Sequence, residues 1–250
     1  HCPTKIVCGE GALHKLPVKI ADRGVTKPLI VTDANLIKLG IAEQVFAPLR
    51  EADVNYSLYD HVPPDSSLNV VNEVATLYRE EKCDGWIALG GGSVIDTAKG
   101  AAASVSVGEK DFTDLQGSEI LQDELDPLIA IPTTAGTGSE VTLVAVVADT
   151  ENHAKLSYTS YRLVPHIAFL DPKLTASLPP RLTATTGIDA LTHAIEAYTS
   201  IQKNPISDAL AQQAISLISK NLALSCAEPG NLEARTNLAL GSLLAGASFS

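Results

Sequence analysis

The segment TTGIDALTHAIEAYTS, Thr185 to Ser200, sets a carboxylate and an imidazole four residues apart, at Asp189 and His193. On a helix that spacing projects both side chains from one face. An aspartate oxygen with a histidine nitrogen is half of a donor set that suits Fe(II) or Zn(II). The structural alternative is a plain i,i+4 contact, stabilising its helix by about 0.3 kcal/mol. The neighbours Ala190, Leu191, Ala194, Ile195 and Ala197 are small or apolar, so both groups are expected to be buried. A buried carboxylate is costly unless it is paired or holds a cation, which favours the metal reading.

Two glycine-rich turns offer a second kind of chemistry. IALGGGSVIDTAKG places Gly90, Gly91, Gly92 and Ser93 between an apolar run and a helical pattern. Free N–H groups at a helix start favour an anion, and glycines let a ligand approach the backbone closely. Neither the GxGxxG fingerprint nor the GxxxxGK[ST] loop is present. The competing explanation is a tight turn that needs glycine for positive φ. In PTTAGTGSEVT, Thr133, Thr134, Thr137 and Ser139 supply hydroxyls, while Gly136 and Gly138 keep the backbone open. Two such loops at the ends of neighbouring strands suit a dinucleotide's pyrophosphate and adjacent ribose. Asp33 closes an earlier apolar run. It can accept from an adenosine ribose, selecting NAD over NADP, or it can cap the following helix.

The elements that must carry these groups follow a βαβ rhythm. PLIVTD, VNYSLYD, GWIALG and LIAIPT read as strands, separated by the helical patterns AEQVFAPLREA, LNVVNEVATLYREE and SVIDTAKGAAASVS. That alternation predicts a doubly wound parallel sheet, a Rossmann-like α/β domain. After Thr133 the rhythm changes: VTLVAVVAD, KLSYTS and HIAFLDP read as strands with short connections, with a hairpin among them. Beyond Pro179–Pro180 only helices are expected, at about 182–199, 208–224 and 232–250. The division is therefore 1–179 for the α/β domain and 180–250 for the first part of a helical, metal-binding one.

Composition narrows the partners. With 18 basic and 29 acidic side chains the formal charge is −11, which disfavours a nucleic-acid partner. No apolar run approaches the roughly 18 residues of a membrane span, and no signal-peptide layout is visible. Cys2, Cys8, Cys83 and Cys226 show no metal-ribbon spacing and read as reduced thiols of a cytoplasmic protein. The chain contains no methionine, and LALGSLLAGASFS stops inside a helical pattern, so it reads as a truncated piece.

GGGSVIDTAKG, PTTAGTGSEVT, FLDPKLTASLPP and TGIDALTHAIEAYTS, in this order and spacing, resemble the iron-containing (group III) alcohol dehydrogenase family. The resemblance runs from PTKIVCGEGAL to LLAGASFS. It implies an NAD-binding α/β domain, a helical domain and one divalent metal, usually Fe2+ and sometimes Zn2+. It further implies that Asp189 and His193 are metal ligands, that Gly91, Gly92 and Ser93 contact the pyrophosphate, and that Asp96 lies near the nicotinamide. Thr133, Thr134, Thr137, Ser139 and Lys155 become cofactor contacts, and Asp33 matches the position that selects NAD. The implied reaction is hydride transfer between a small primary alcohol or aldehyde and nicotinamide, in a homo-oligomer.

One departure stands against this. The family completes its metal site with two histidines on later helices, past the segment that AGASFS resembles. His1, His14, His61, His153 and His166 are poorly placed substitutes, so this chain is expected to hold metal weakly and to be impaired. Two other readings are open to the sequence: a metal-dependent sugar-phosphate cyclase or polyol-phosphate dehydrogenase, which needs a basic pocket, and a non-catalytic nucleotide-binding or assembly module.

Overall fold

In the computed structural model the described residues are 3–108, 117–118 (backbone only), 121, 123–150 and 152–250; His1 and Cys2 lie outside them. Six parallel strands form the main sheet in the order β3-β2-β4-β6-β9-β1. They are β1 (Lys5–Cys8), β2 (Pro28–Val31), β3 (Ser57–Tyr59), β4 (Gly85–Gly90), β6 (Leu128–Pro132) and β9 (Ile167–Leu170). The central strands are apolar from end to end because both faces of the sheet are covered. Alternate residues serve opposite faces: Leu29, Val31, Trp86, Ala88, Leu128 and Ala130 join one core. Ile30, Ile87, Leu89, Ile129 and Ile131 join the other.

The first core is roofed by α4 (Leu68–Glu80) and α5 (Gly92–Ser106). The second is covered by α1 (Leu16–Ala21), α2 (Ala34–Lys38), α3 (Glu43–Glu51) and α6 (Pro172–Ala176). Each fully buried Leu or Ile in these layers contributes about 1.5–3 kcal/mol of transfer free energy. A smaller sheet has the order β5-β8-β7, in which β7 (Val144–Asp149) and β8 (Ala154–Thr159) form the expected antiparallel hairpin. The strand β5 (Gly117–Ser118) runs parallel to β8.

Two features depart from expectation. HIAFLDP does not stay with the hairpin: β9 rejoins the main sheet between β6 and β1, pairing Ile129 with Ile167 and Lys5 with Ile167. The partner strand β1 is four residues long, too short for a clear period, and lies far from β9 in sequence. Within VNYSLYD, only Ser57–Tyr59 pairs as strand.

The helical part begins where Pro180 takes the first position of α7 (Pro180–Thr199), a place where a missing N–H costs nothing. A capping box of Asn204 and Ser207 starts α8 (Pro205–Ala227), and Asn231 caps α9 (Leu232–Ser248). The three helices share a core of small residues, with Ala190, Ala194, Ala214 and Ala245 around Ile218 and Leu238. Arg235 is buried there, donating to Thr183 Oγ1 at 2.8 Å and to the carbonyls of Pro229 and Leu178. No described helix is long and apolar enough to cross a membrane.

Candidate active site cleft

One strand end and one helix start position the first glycine loop. β4 ends at Gly90, Gly91 precedes α5, and the N–H groups of Val94 and Ile95 both turn back to the Gly91 carbonyl. The N–H groups of Gly92 and Ser93 take no acceptor among the described residues, which leaves the first turn of a 15-residue helix open to an anion. Gly90, Gly91 and Gly92 all have ordinary negative φ, so the turn does not need glycine for its dihedrals. Space is the reason. A Cβ on Gly90 would lie 2.5 Å from Val94 Cγ2, and one on Gly92 would lie 2.6 Å from Thr137 Cγ2.

The second loop follows β6 and packs against the first. Thr137 meets Gly92, and Thr134 Oγ1 would lie 3.2 Å from a Cβ on Gly91. Gly136 and Gly138 do not hold the backbone open, contrary to the sequence expectation. They make room for the helical part: a Cβ on Gly136 would meet Thr186 of α7 at 3.0 Å, and one on Gly138, at φ 65°, would meet Gly246 Cα of α9 at 2.7 Å.

Between these loops, the hairpin and α7 lies a cleft of about 390 Å³. Of the residues singled out in sequence, it brings together Gly92, Ser93, Asp96, Thr137, Ser139, Lys155, Asp189 and His193. Gly91, Thr133 and Thr134 stand outside its lining, with Thr133 buried and its N–H bound to the Gly90 carbonyl at 3.0 Å. Asp33 is also outside the lining. Its Oδ1 accepts from Asn35 N at 2.8 Å and Leu36 N at 3.1 Å, so it caps α2 as the structural alternative expected. Its Oδ2 takes no partner among the described residues, so the cap leaves one oxygen for other work.

A polar tie beneath the cleft was not seen in the sequence. Asp96 accepts from Ser139 Oγ through Oδ1 and from Val146 N at 3.1 Å through Oδ2. One turn along α5, fully buried Lys99 donates to the carbonyls of Thr142 at 2.8 Å and Val144 at 2.9 Å, and to Thr142 Oγ1 at 3.2 Å. Together they fasten residues 139–146, which join the second loop to the hairpin carrying Lys155. The i,i+3 spacing in IDTAK was the available signal. Burial raises the Asp96 carboxyl above its usual range, although the Lys99 charge and the two donors oppose it. Burial lowers Lys99 to about 8, against the nearby Asp96 and Glu140 charges. Burial likewise raises Glu140 to about 7, partly offset by its backbone bond and Lys99.

The Asp189–His193 pair sits on the rim. His193 Nε2 lies 3.8 Å from Asp189 Oδ1, with side chains 29% and 47% exposed respectively. The expected burial of both is therefore wrong. The buried stripe of α7 runs through Thr183, Gly187, Ala190, Ala194 and Ala197, and Asp189 precedes it by one residue, about 100° around the helix. Phe249 shields one edge of the imidazole, ring centroids 5.2 Å apart, and His193 Nδ1 is buried without a hydrogen-bond partner among the described residues. A single cation could reach both donors, because metal–ligand distances of about 2.1 Å on each side span a 3.8 Å gap. Among the described residues no group of three or more His, Cys, Asp or Glu converges on a metal position. The donors present fit half a cage.

The domain "Iron-containing alcohol dehydrogenase" matches residues 3–172, and "Fe-containing alcohol dehydrogenase family, C-terminal" matches residues 183–250. Choline dehydrogenase of Bacillus subtilis is 41% identical over 249 residues, covering 99% of this chain and 62% of its own. An alcohol dehydrogenase structure from Oenococcus oeni superposes with a TM-score of 0.95 at 41% identity, over 99% of this chain and 65% of that one. Sulfoacetaldehyde reductase from Bifidobacterium kashiwanohense, solved in complex with NAD+, has a TM-score of 0.91 at 32% identity, over 99% and 65% of the two chains. The chain thus spans about three-fifths of the length of the curated relatives it matches. With a family domain matched across residues 3–172, this chain belongs to the iron-containing alcohol dehydrogenases.

Proposed function

We propose that this chain supplies the NAD cleft and two metal ligands, Asp189 and His193, of an NAD-dependent, metal-dependent alcohol dehydrogenase or aldehyde reductase acting on small primary alcohols and aldehydes. The carrying observation is that one cleft joins both loops to the α7 pair, although these segments are far apart in sequence. The NAD+ complex of the Bifidobacterium relative supports the cofactor assignment. The division of labour falls at Pro179–Pro180, with residues 1–179 holding nucleotide and 180–250 beginning the metal-binding helices. Lys155 is the only lysine or arginine among the described residues lining the cleft, which argues against a phosphorylated substrate. Family membership supports a homo-oligomer, and the free Cys8, Cys83 and Cys226 suit a reducing, cytoplasmic setting.

When bound, a divalent cation supplies polarisation of the alcohol or aldehyde oxygen, and nicotinamide supplies the hydride exchange. The chain's own groups do the positioning. The Gly92 and Ser93 N–H groups, with the α5 dipole behind them, bind the pyrophosphate. Thr137 and Ser139 hold the adjoining sugar, while Asp96, fixed by Ser139 and Val146, sets the wall toward the nicotinamide. Asp33 Oδ2 takes the adenosine ribose and repels a 2′-phosphate. Phe249 and the valines of β7 exclude water from the reacting end.

The test is a NADH fluorescence titration of wild type and Gly92→Ala, combined with bound iron and zinc content and oxidation of ethanol or propanediol. We expect one NADH per chain, at least ten-fold weaker binding in the variant because the new methyl strikes Thr137, and metal lost to mild chelation with low turnover. A wild type without NADH binding overturns the nucleotide reading. Stoichiometric, tightly held metal with full turnover overturns the weak-metal reading of the 250-residue chain.

A further inference from the structure

The turn between β3 and α4 plays no part in the reading above, yet it lines the cleft through Asp65 and Ser66. Ser66 anchors it. Its carbonyl accepts from Ala148 N at 2.7 Å, its hydroxyl accepts from Thr97 Oγ1, and Ser67 makes a parallel bridge to Ala148. The turn is thus pinned to α5 on one side and to β7 on the other. Asp65 sits at its tip in the left-handed region, φ 55°, where aspartate and asparagine are tolerated far better than most residues.

From that position Asp65 touches both flanks of the cleft. Its N–H donates to Ser93 Oγ at 3.3 Å, and its Oδ1 lies 3.3 Å from Lys155 Nζ. A hydroxyl oxygen that accepts one bond still has its own hydrogen to give, so the contact turns Ser93 into a donor facing the cleft. Lys155, in contrast, is shared. Any anion entering the cleft draws on an ammonium that a carboxylate already neutralises, and it also approaches that carboxylate's negative charge.

We infer that Asp65 sets the affinity of the cleft for an anionic dinucleotide. Its backbone N–H orients the Ser93 hydroxyl toward the ligand, while its carboxylate competes with the ligand for Lys155 and weakens binding. This rests on the dinucleotide reading of the cleft. The Asp65 and Lys155 side chains are 77% and 68% exposed, so the effect has the size of a surface ion pair and is screened by salt.

Asp65→Asn isolates the charge: it keeps the N–H that reaches Ser93 and suits the left-handed backbone. The experiment is a NADH fluorescence titration of wild type, Asp65→Asn, Lys155→Met and the double variant, at low and high ionic strength, with thermal unfolding alongside. Asp65→Asn should bind NADH roughly two- to five-fold more tightly at low salt. The gain should shrink at high salt and vanish in the Lys155→Met background, with the melting temperature unchanged. Equal or weaker binding by Asp65→Asn overturns the proposal, as does the same gain without Lys155. Wild type that binds NADH while Asp65→Asn changes nothing defeats this inference alone; wild type that binds none defeats the nucleotide reading as well.

Discussion

The glycine-loop side and the α7 side of the cleft are built on different principles. On the glycine-loop side, two loops interlock through missing side chains, and Asp96 and Lys99 tie down the intervening segment with hydrogen bonds that run from buried, at Thr142, to exposed, at Val146. On the α7 side, Asp189 and His193 stand at the rim, each partly exposed, with the Phe249 ring beside the imidazole and His193 Nδ1 without a partner among the described residues. One half is shaped by its own layer before any ligand arrives. The other half offers two side chains on one helix, with no third His, Cys, Asp or Glu converging on them among the described residues. A preorganised subsite and an open one can share a cleft because different layers of the fold supply them.

The sharpest way to break this contrast is at the seam joining the two halves. Gly138→Val should be the most damaging substitution, because φ 65° disfavours any side chain and the new Cβ starts 2.7 Å from the α9 backbone. We expect a loss of about 3 kcal/mol or more in urea denaturation, from strain and overpacking together. A near-neutral result would mean that α9 can back away and that the halves are not locked.

A subtler difference concerns pH. Burial gives Glu140 a folded pKa of about 7 against an ordinary 4.5, so between those values the folded state binds more protons than the unfolded one. Its contribution is fully present below pH 4.5 and is lost as pH rises through about 7. Glu140→Gln should remove that decline, so melting temperatures across the window should fall less with rising pH in the variant. Parallel profiles would show that Glu140 does not titrate there.

The smallest effect is expected on the rim. Asp189→Ala should change stability by less than about 0.5 kcal/mol, since it removes an exposed group with one distant partner. It should lower zinc affinity while leaving the NADH affinity as it was. A large stability loss would make the pair structural and erase the contrast.

Much of this was legible in the residues. The runs PLIV, WIAL and LIAI read as strands, and the glycine clusters located the two loops, although the reason for their glycines, close packing of the loops on each other and on α7 and α9, was not the ligand approach expected. The small-residue periodicity of TGIDALTHAIEAYTS located α7, but it misjudged the side on which the chemistry sits. Ile188 and Ile195 proved exposed, 52% and 46%, so apolar neighbours in sequence were not neighbours in the core. Asp33 carried two meanings in sequence; the fold uses one oxygen for the cap and leaves the other available. What remained hidden were relations across the chain: β1 beside β9, Lys99 under the hairpin, and Asp65 between Ser93 and Lys155. Beyond the i,i+3 spacing of Asp96 and Lys99, these leave no local pattern, because each partner looks ordinary until folding brings it to the other.

The contact of Gly138 with Gly246 is backbone against backbone, with no rotamer on either side to absorb a misfit. A side chain added at either glycine therefore meets main chain, so two positions over a hundred residues apart limit one another's size directly.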